Sequence, residues 1–503
     1  MNNFEQLLRF ITLICSVLFI VSCNDDVVKT DDELTGESIY SQRDDSFVSL
    51  SKAAATASMF INKLSDKIST RAYNSFSETK IIYKDGKPLM YVLNYPSGGF
   101  VIVSASKDYY PILAYSEESN FDTSLGINGI TSWVEDTKEL IWSSESLNDS
   151  IKIKIQHLWD VLDKQYYPST RGKLSTRAGL SAAEIACYMR CEDYLNQYGY
   201  EGDEGWHFMP LADAEQVLKD IGYSTLYDGL CYSAEFNHST PSTSVLGLKY
   251  CTEKEIVGPL ISTTWHQNSP FSDYCNGHEA GCGAIAMAQV MNYHKYPSQF
   301  TLDENTYNWS NFSYAALVKY VYNIIGSEHV DLPFVGNRVY TTPGHMEEGI
   351  RKLGYNVSVG DDDPYRVEQV IISGKNPVIM LGNDTRIPIL PSPANYIGRS
   401  HYWICDGQNR MVQGKLYIFT EWQPNGNGSF VSGCGTINTP DVYGGVVSSY
   451  SHMNWGWGGK CNGWFMSDTS VNSVVSFDYP YMDNSADDDF EHARKNFYIS
   501  KKY

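Results

Sequence analysis

Gly281-Cys282-Gly283-Ala284-Ile285-Ala286-Met287-Ala288-Gln289-Val290-Met291 sets one cysteine between two glycines and follows it with residues of good helix propensity. The run closes at Asn292-Tyr293-His294-Lys295-Tyr296-Pro297. This pattern predicts a loop feeding a helix, with Cys282 in its first turn. A helix N-terminus offers unpaired N–H groups and a positive dipole end, and both favour a thiolate. The glycines let other backbone approach the sulfur. A buried structural cysteine on a small-residue helix fits the same stretch, because free Cys is among the most buried residue types. The surrounding chain has to separate the two.

At 503 residues the chain is too long for one ordinary core, so two or more domains are expected. The net charge of −21 argues against a nucleic-acid partner, since nothing would offset phosphate repulsion. Tyr 37, Phe 20 and Trp 11 suit folded, strand-containing domains.

Arg9 precedes a short apolar run, Phe10 to Val21, that ends at Ser22-Cys23. A charged start, a short apolar stretch and a small residue make a secretory signal peptide, too short for a comfortable membrane span. Ile20-Val21-Ser22-Cys23 is similar to a bacterial lipobox, which implies lipidation at Cys23 and residues 24–45 as a tether. An ordinary signal peptide containing Cys23 is the alternative. No later segment is apolar and long enough to span a bilayer. The expected localisation is a bacterial cell envelope or surface, with membrane contact only through the lipid anchor. Eleven cysteines are present; setting aside Cys15, Cys23 and Cys282 leaves eight, some of which are able to pair in an oxidising envelope. No CxxC pair has a partner pair, so no metal and no cofactor is expected.

Downstream, apolar residues recur at helical spacing over about Phe47 to Lys67. Lys80–Tyr83 and Leu89–Leu93 flank Asp85-Gly86 and predict a hairpin. Gly98–Ala105 and Ile112–Ser116 predict further strands, and 125–165 reads as mostly helical. Residues 46–166 therefore read as a self-contained α+β domain. A polar, small-residue linker over 167–180 carries two Ser-Thr-Arg triplets. Residues 181–256, helical in character at 182–197 and 212–221, read as an accessory or insert segment. From 257 to 503 the chain turns aromatic- and Gly-rich, with buried strands predicted at Val378–Leu381 and Tyr402–Cys405, and another at Lys415–Phe419.

A cysteine nucleophile needs a base, and His is the usual one near neutral pH. His401, in Gly398-Arg399-Ser400-His401-Tyr402-Trp403-Ile404-Cys405-Asp406-Gly407, stands at the mouth of an apolar strand, where it can be held at a cleft edge; a surface His at a strand start fits equally. His452 is the rival, in His452-Met453-Asn454-Trp455-Gly456-Trp457-Gly458-Gly459. The alternating Trp and Gly residues serve either as a turn with core aromatics or as an aromatic wall around an ion pair, with Asn454 orienting the base.

Three motifs in order resemble the streptopain family of bacterial cysteine peptidases, which includes the interpains. They are the Cys282 helix, the Asn454–Gly459 aromatic run, and Thr264-Trp265-His266-Gln267 before the nucleophile. Gly98–Ala105 is similar to part of that family's propeptide. The resemblance covers 257–475 well and 45–120 loosely. It implies an α+β, papain-like peptidase of two subdomains, a helical half carrying the Cys and an antiparallel sheet half carrying the His, preceded by an α+β propeptide domain. It further implies Cys282 as nucleophile and His401 as general base and acid. Gln267 would complete the oxyanion hole, and Asn454, Trp455 and Trp457 would support and shield His401. Two departures stand out. Gly283 replaces a larger apolar residue after the nucleophile, and Ser400-His401-Tyr402 replaces Gly-His-Ala. The expected activity is zymogen-derived hydrolysis of protein or peptide substrates. A peptidase-like surface lipoprotein that binds protein ligands, or a transglutaminase-like acyl transferase, uses the same residues. Oligomeric state is not legible.

Overall fold

The computed structural model describes residues 46–64, 76–125, 128–147, 152, 155, 156, 159, 206–210, 245–332, 336–383, 400–422, 431–438, 447–467 and 495–502. The lipobox, the linker and the helical stretches expected at 182–197 and 212–221 lie outside the described residues.

The first module opens with helix α1 (Leu50–Leu64), whose Ala53, Ala57, Phe60 and Ile61 are buried. Strands β1 (Glu78–Lys84) and β2 (Lys87–Asn94) follow. Between them Asp85 takes a φ of 50° and Gly86 one of 79°, the positive values that a two-residue hairpin turn requires. Strands β3 (Phe100–Ser104) and β4 (Ile112–Ser116) complete an antiparallel meander. β2 is buried along nearly its whole length, which marks a strand covered on both faces. Helix α2 (Asn128–Ser143) packs on it and reaches on into the second module.

The second module begins with β5 (Trp206–Pro210) and the long strand β6 (Val245–Val257), which ends at the expected boundary and belongs to the peptidase sheet. Helix α3 (Cys282–His294) carries the opening motif and is buried at every position from Gly283 to Met291. A helix apolar all round belongs in the middle of a core. Around it lie the hairpin β7 (Gln299–Leu302) and β8 (Asn305–Asn308), helix α4 (Tyr314–Ile324), the hairpin β9 (Glu328–Leu332) and β10 (Gly336–Tyr340), and helix α5 (Pro343–Lys352). Ser313 and Thr342 cap α4 and α5 by accepting from Ala316 N and His345 N. These elements form the helical half.

The sheet half comprises β11 (Tyr355–Asp361), β12 (Val378–Asn383), β13 (Ser400–Trp422), β14 (Val431–Asn438), β15 (Val447–Asn454), β16 (Gly463–Ser467) and β17 (Lys495–Lys501), with helix α6 (Pro364–Ile372) packed on it. The α+β, papain-like division expected from the sequence is the one observed. The far half of β13 extends as an arm paired with β6 on one side and β14 on the other. That pairing gives the strand expected at Lys415–Phe419 its hairpin partner.

The two modules share one sheet. Its strand order is β1-β2-β3-β4-β16-β15-β13-β12-β17-β11, joined across the modules where Trp464 and Phe465 pair with Tyr115 and Ala114. Two cores follow. One gathers the first module's apolar residues with Tyr450, Trp455, Cys461 and Phe465. The other surrounds α3 with Leu381, Tyr402, Ile404, Phe497 and Ile499 from the sheet.

Candidate active site

Cys282 is the first residue of α3, and Gly281, at φ 82°, is its N-cap. A side chain at 281 would meet Val339 of β10 and would have to adopt a strained backbone. The cysteine is partly exposed and unpaired. Burial pushes its thiol upward in pKa, and Glu279 adds to that. Backbone N–H groups of Tyr402, Gly283 and Cys282 itself aim at the sulfur and pull the other way. Three converging N–H donors at a helix start are the environment in which a thiolate is tolerated.

Side chains alternate along the start of β13. Tyr402 and Ile404 enter the core around α3, whereas His401 and Trp403 lie on the aromatic side, their rings stacked at 6.2 Å. Trp457 lies 6.2 Å from the His401 ring on a tilted plane. His401 is 3% exposed, and its Nε2 donates to Trp455 O at 2.9 Å. A carbonyl only accepts, so Nε2 carries the proton. Burial lowers the imidazole's pKa to about 4, against the small opposing pull of that carbonyl. Among the described residues Cys282 and His401 share no hydrogen bond, so both are uncharged here at neutral pH.

The first module also packs against this ring. A Cβ on Gly129, in the first turn of α2, would come within 2.6 Å of the Trp455 ring and 3.0 Å of His401 Cδ2. Only glycine allows the helix to press this closely on the imidazole.

Gln267 is buried and sits upstream of Cys282. Its backbone carbonyl accepts from Ala280 N at 2.8 Å, which ties it to the loop feeding α3. Asn454 differs from the expectation that it orients the base. Its Nδ2 donates to Thr263 O at 2.9 Å and its Oδ1 accepts from Gly456 N, so it braces the segment leading to Gln267 and not His401. Trp455 supplies the carbonyl that holds His401, and its own Nε1 donates to Cys461 O. The rival base, His452, is engaged elsewhere: its Nδ1 lies 2.6 Å from Oδ1 of the fully buried Asp406. The other Asp406 oxygen accepts from Ile261 N at 2.9 Å.

The two departures from the family pattern explain each other. A Cβ on Gly283 would meet Met346 at 3.0 Å, Tyr402 at 3.4 Å and Ile325 at 3.5 Å. Tyr402, anchored by its hydroxyl to Thr341 O at 3.0 Å, fills the space a larger residue at 283 would need. Sequence reasoning misses the Asp406–His452 pair and the contact of Gly129 with His401. The first shows in the sequence only as an ordinary Asp-Gly strand end, and the second joins residues far apart in the chain. Among the described residues no three His, Cys, Asp or Glu side chains gather to hold a metal ion. Cys275, Cys405 and Cys461 are free.

Comparison with known proteins agrees with this division. Residues 45–141 match the family "Spi protease inhibitor" and residues 265–326 match the "Peptidase C10 family". No curated protein matches the chain. Among solved structures, a mutant fragment of prointerpain A from Prevotella intermedia is similar over 85% of this chain and 98% of that one, at 14% identity and a TM-score of 0.39. Two family regions in this order, a Spi-type domain and then a Peptidase C10 region, support the resemblance to the streptopain family with its propeptide.

Proposed function

We propose that the chain is the zymogen of a cysteine endopeptidase in which Cys282 attacks the peptide carbonyl and His401 handles the proton. The observation that carries this reading is the position of Cys282, partly exposed and unpaired, as the first residue of a buried helix that Gly281 caps at a positive φ. For catalysis the first module must leave. His401 then turns off the Trp455 carbonyl toward Cys282 and takes up the thiol proton.

The thiolate adds to the substrate carbonyl carbon, and the oxygen that becomes negative is held by the Cys282 N–H and the Gln267 side chain. His401 gives its proton to the leaving amine as the C–N bond breaks, leaving a thioester. It next takes a proton from water, which attacks the thioester and returns Cys282 as a thiol. Trp457 beside the imidazole keeps water from the pair, which strengthens its attraction.

The region holding Arg171 and Arg177, or the stretch just before Val257, is where we place the activating cut. Export through the signal peptide and lipidation at Cys23 complete the proposal, and place the enzyme at the cell envelope. Radiolabelled palmitate should enter the wild-type chain and not Cys23→Ala. Side-by-side digestion of a denatured protein by wild type and Cys282→Ala tests the central reading. Equal cleavage by the two would sink it.

A further inference from the structure

Gln289 follows Cys282 by seven residues, two helical turns, so both side chains leave the same face of α3 about 10 Å apart along its axis. It is wholly buried in the middle of an apolar helix. Its Oε1 accepts from Trp265 N at 3.2 Å and from Thr263 Oγ1 at 2.9 Å. A backbone N–H only donates, so the amide's oxygen must face the 263–265 segment. Its Nε2 has no partner among the described residues. A buried donor left unused opposes folding, so the acceptor function is what the position retains at that cost.

The segment it grips leads to Gln267. Trp265 O accepts from Gly458 N at 3.2 Å, and Thr263 O accepts from Asn454 Nδ2. The aromatic loop thus holds one edge of the segment and α3 holds the other. We propose that Gln289 is a positioning residue that sets the oxyanion hole against the nucleophile. One rigid helix fixes the sulfur at its N-terminus and, two turns on, fixes the strand of chain that carries the Gln267 donor. The inference rests on the peptidase reading above. It extends that reading by making the distance between Sγ and the oxyanion donor depend on α3 through Gln289, in addition to the Asn454 and Gly458 contacts on the other edge of the segment.

The test uses the processed enzyme made from the full chain as wild type, Gln289→Leu, Gln289→Glu and Thr263→Val. Three quantities are measured: kcat and KM on a peptide substrate, the rate of Cys282 alkylation by iodoacetamide, and the affinity of a peptide aldehyde. Alkylation develops no oxyanion. The aldehyde adduct places its oxygen in the hole. Losing a well-aligned donor costs roughly 10²–10³ in rate, and displacing it should cost about 10–100-fold. Gln289→Leu is expected to lose that much in kcat with KM little changed, to lose aldehyde affinity in parallel, and to alkylate at nearly the wild-type rate. Gln289→Glu, which keeps an accepting oxygen, should recover most of the loss. Thr263→Val, which leaves Trp265 N in place and the core untouched, should show the same signature at a few-fold. If Gln289→Leu fails to fold, Thr263→Val decides alone. Unchanged kcat in the variant that folds, or a fall in alkylation equal to the fall in kcat, overturns the inference and leaves the peptidase intact. A wild-type enzyme with no Cys282-dependent hydrolysis overturns both.

Discussion

His401 shows how one residue's environment couples latency to pH. Its pKa falls from an unperturbed 6.5 to about 4 because the ring is buried as a neutral donor. Above pH 6.5 both folded and unfolded chains hold it neutral, and it contributes nothing. Below that, the unfolded chain, or a form with the ring in water, takes up a proton that the closed form refuses. Stability therefore falls between about pH 6.5 and 4, by up to roughly 3 kcal/mol from this ring. His294, lowered to about 4 by burial as well, acts in the same direction. Scanning calorimetry of full-length Cys282→Ala should show a Tm that drops across this window, and His401→Leu should flatten part of the drop. A slope identical in the two would remove His401 from the account. Gly283 gives a second test. Gly283→Val should destabilise by about 1–3 kcal/mol through overpacking, and Met346→Ala beside it should recover part of that, measured as a double-variant cycle by urea unfolding. Beside its neighbours in sequence alone, Gly283 is a weak point next to the nucleophile. With Tyr402 and Met346 against it, it is a matched fit.

Elements with a strong local signal are legible in the sequence. The Asp85-Gly86 turn announces its hairpin, Ile112–Ser116 is a strand over its whole expected length, and the Cys282 helix begins at the residue the glycines indicate. Less legible are pairings that depend on residues distant in the chain. β6 reads as the ragged end of an accessory segment because its partner, the far half of β13, lies far along the chain. Adjacency to the tryptophans points Asn454 at the base, yet its amide turns to Thr263. Helix α2 is legible as a helix but not as the element that holds His401, since nothing local marks Gly129 as a contact. That contact is testable. Gly129→Val forces two methyls into the Trp455 and His401 rings. Overpacking of about 1–3 kcal/mol weakens docking of α2 by roughly 5–150-fold. The uncut variant should hydrolyse a peptide substrate faster than uncut wild type. Equal latency in both would mean that another contact closes the site.

On the scale of the molecule, the shared sheet makes latency a matter of architecture. The propeptide domain does not lie across the cleft as a detached plug. It continues the peptidase sheet through β4 and β16, shares a core with Tyr450, Trp455 and Phe465, and sends Ser119 Oγ to Asn462 O at 2.6 Å. An interface of this kind resembles a domain core cut in half, so cutting the linker should not by itself separate the parts. Cys461 reports the separation. It is fully buried at this seam, where its sulfur accepts from Asp122 N at 3.3 Å, and burial pushes its pKa up to about 11. While the propeptide domain is docked, the thiol is both covered and protonated at neutral pH. Once the domain is gone, the neighbours that bury it from that side go with it, and the thiol turns toward its ordinary acidity. In the Cys282→Ala background, a thiol reagent should therefore leave Cys461 unmodified in the intact chain. It should still leave Cys461 unmodified after the linker is cut with an added protease, and modify it only when the propeptide domain has been removed or degraded. Peptide mapping by mass spectrometry reads each stage. Modification directly after linker cleavage would mean that the covalent connection, and not the shared sheet, holds the zymogen closed.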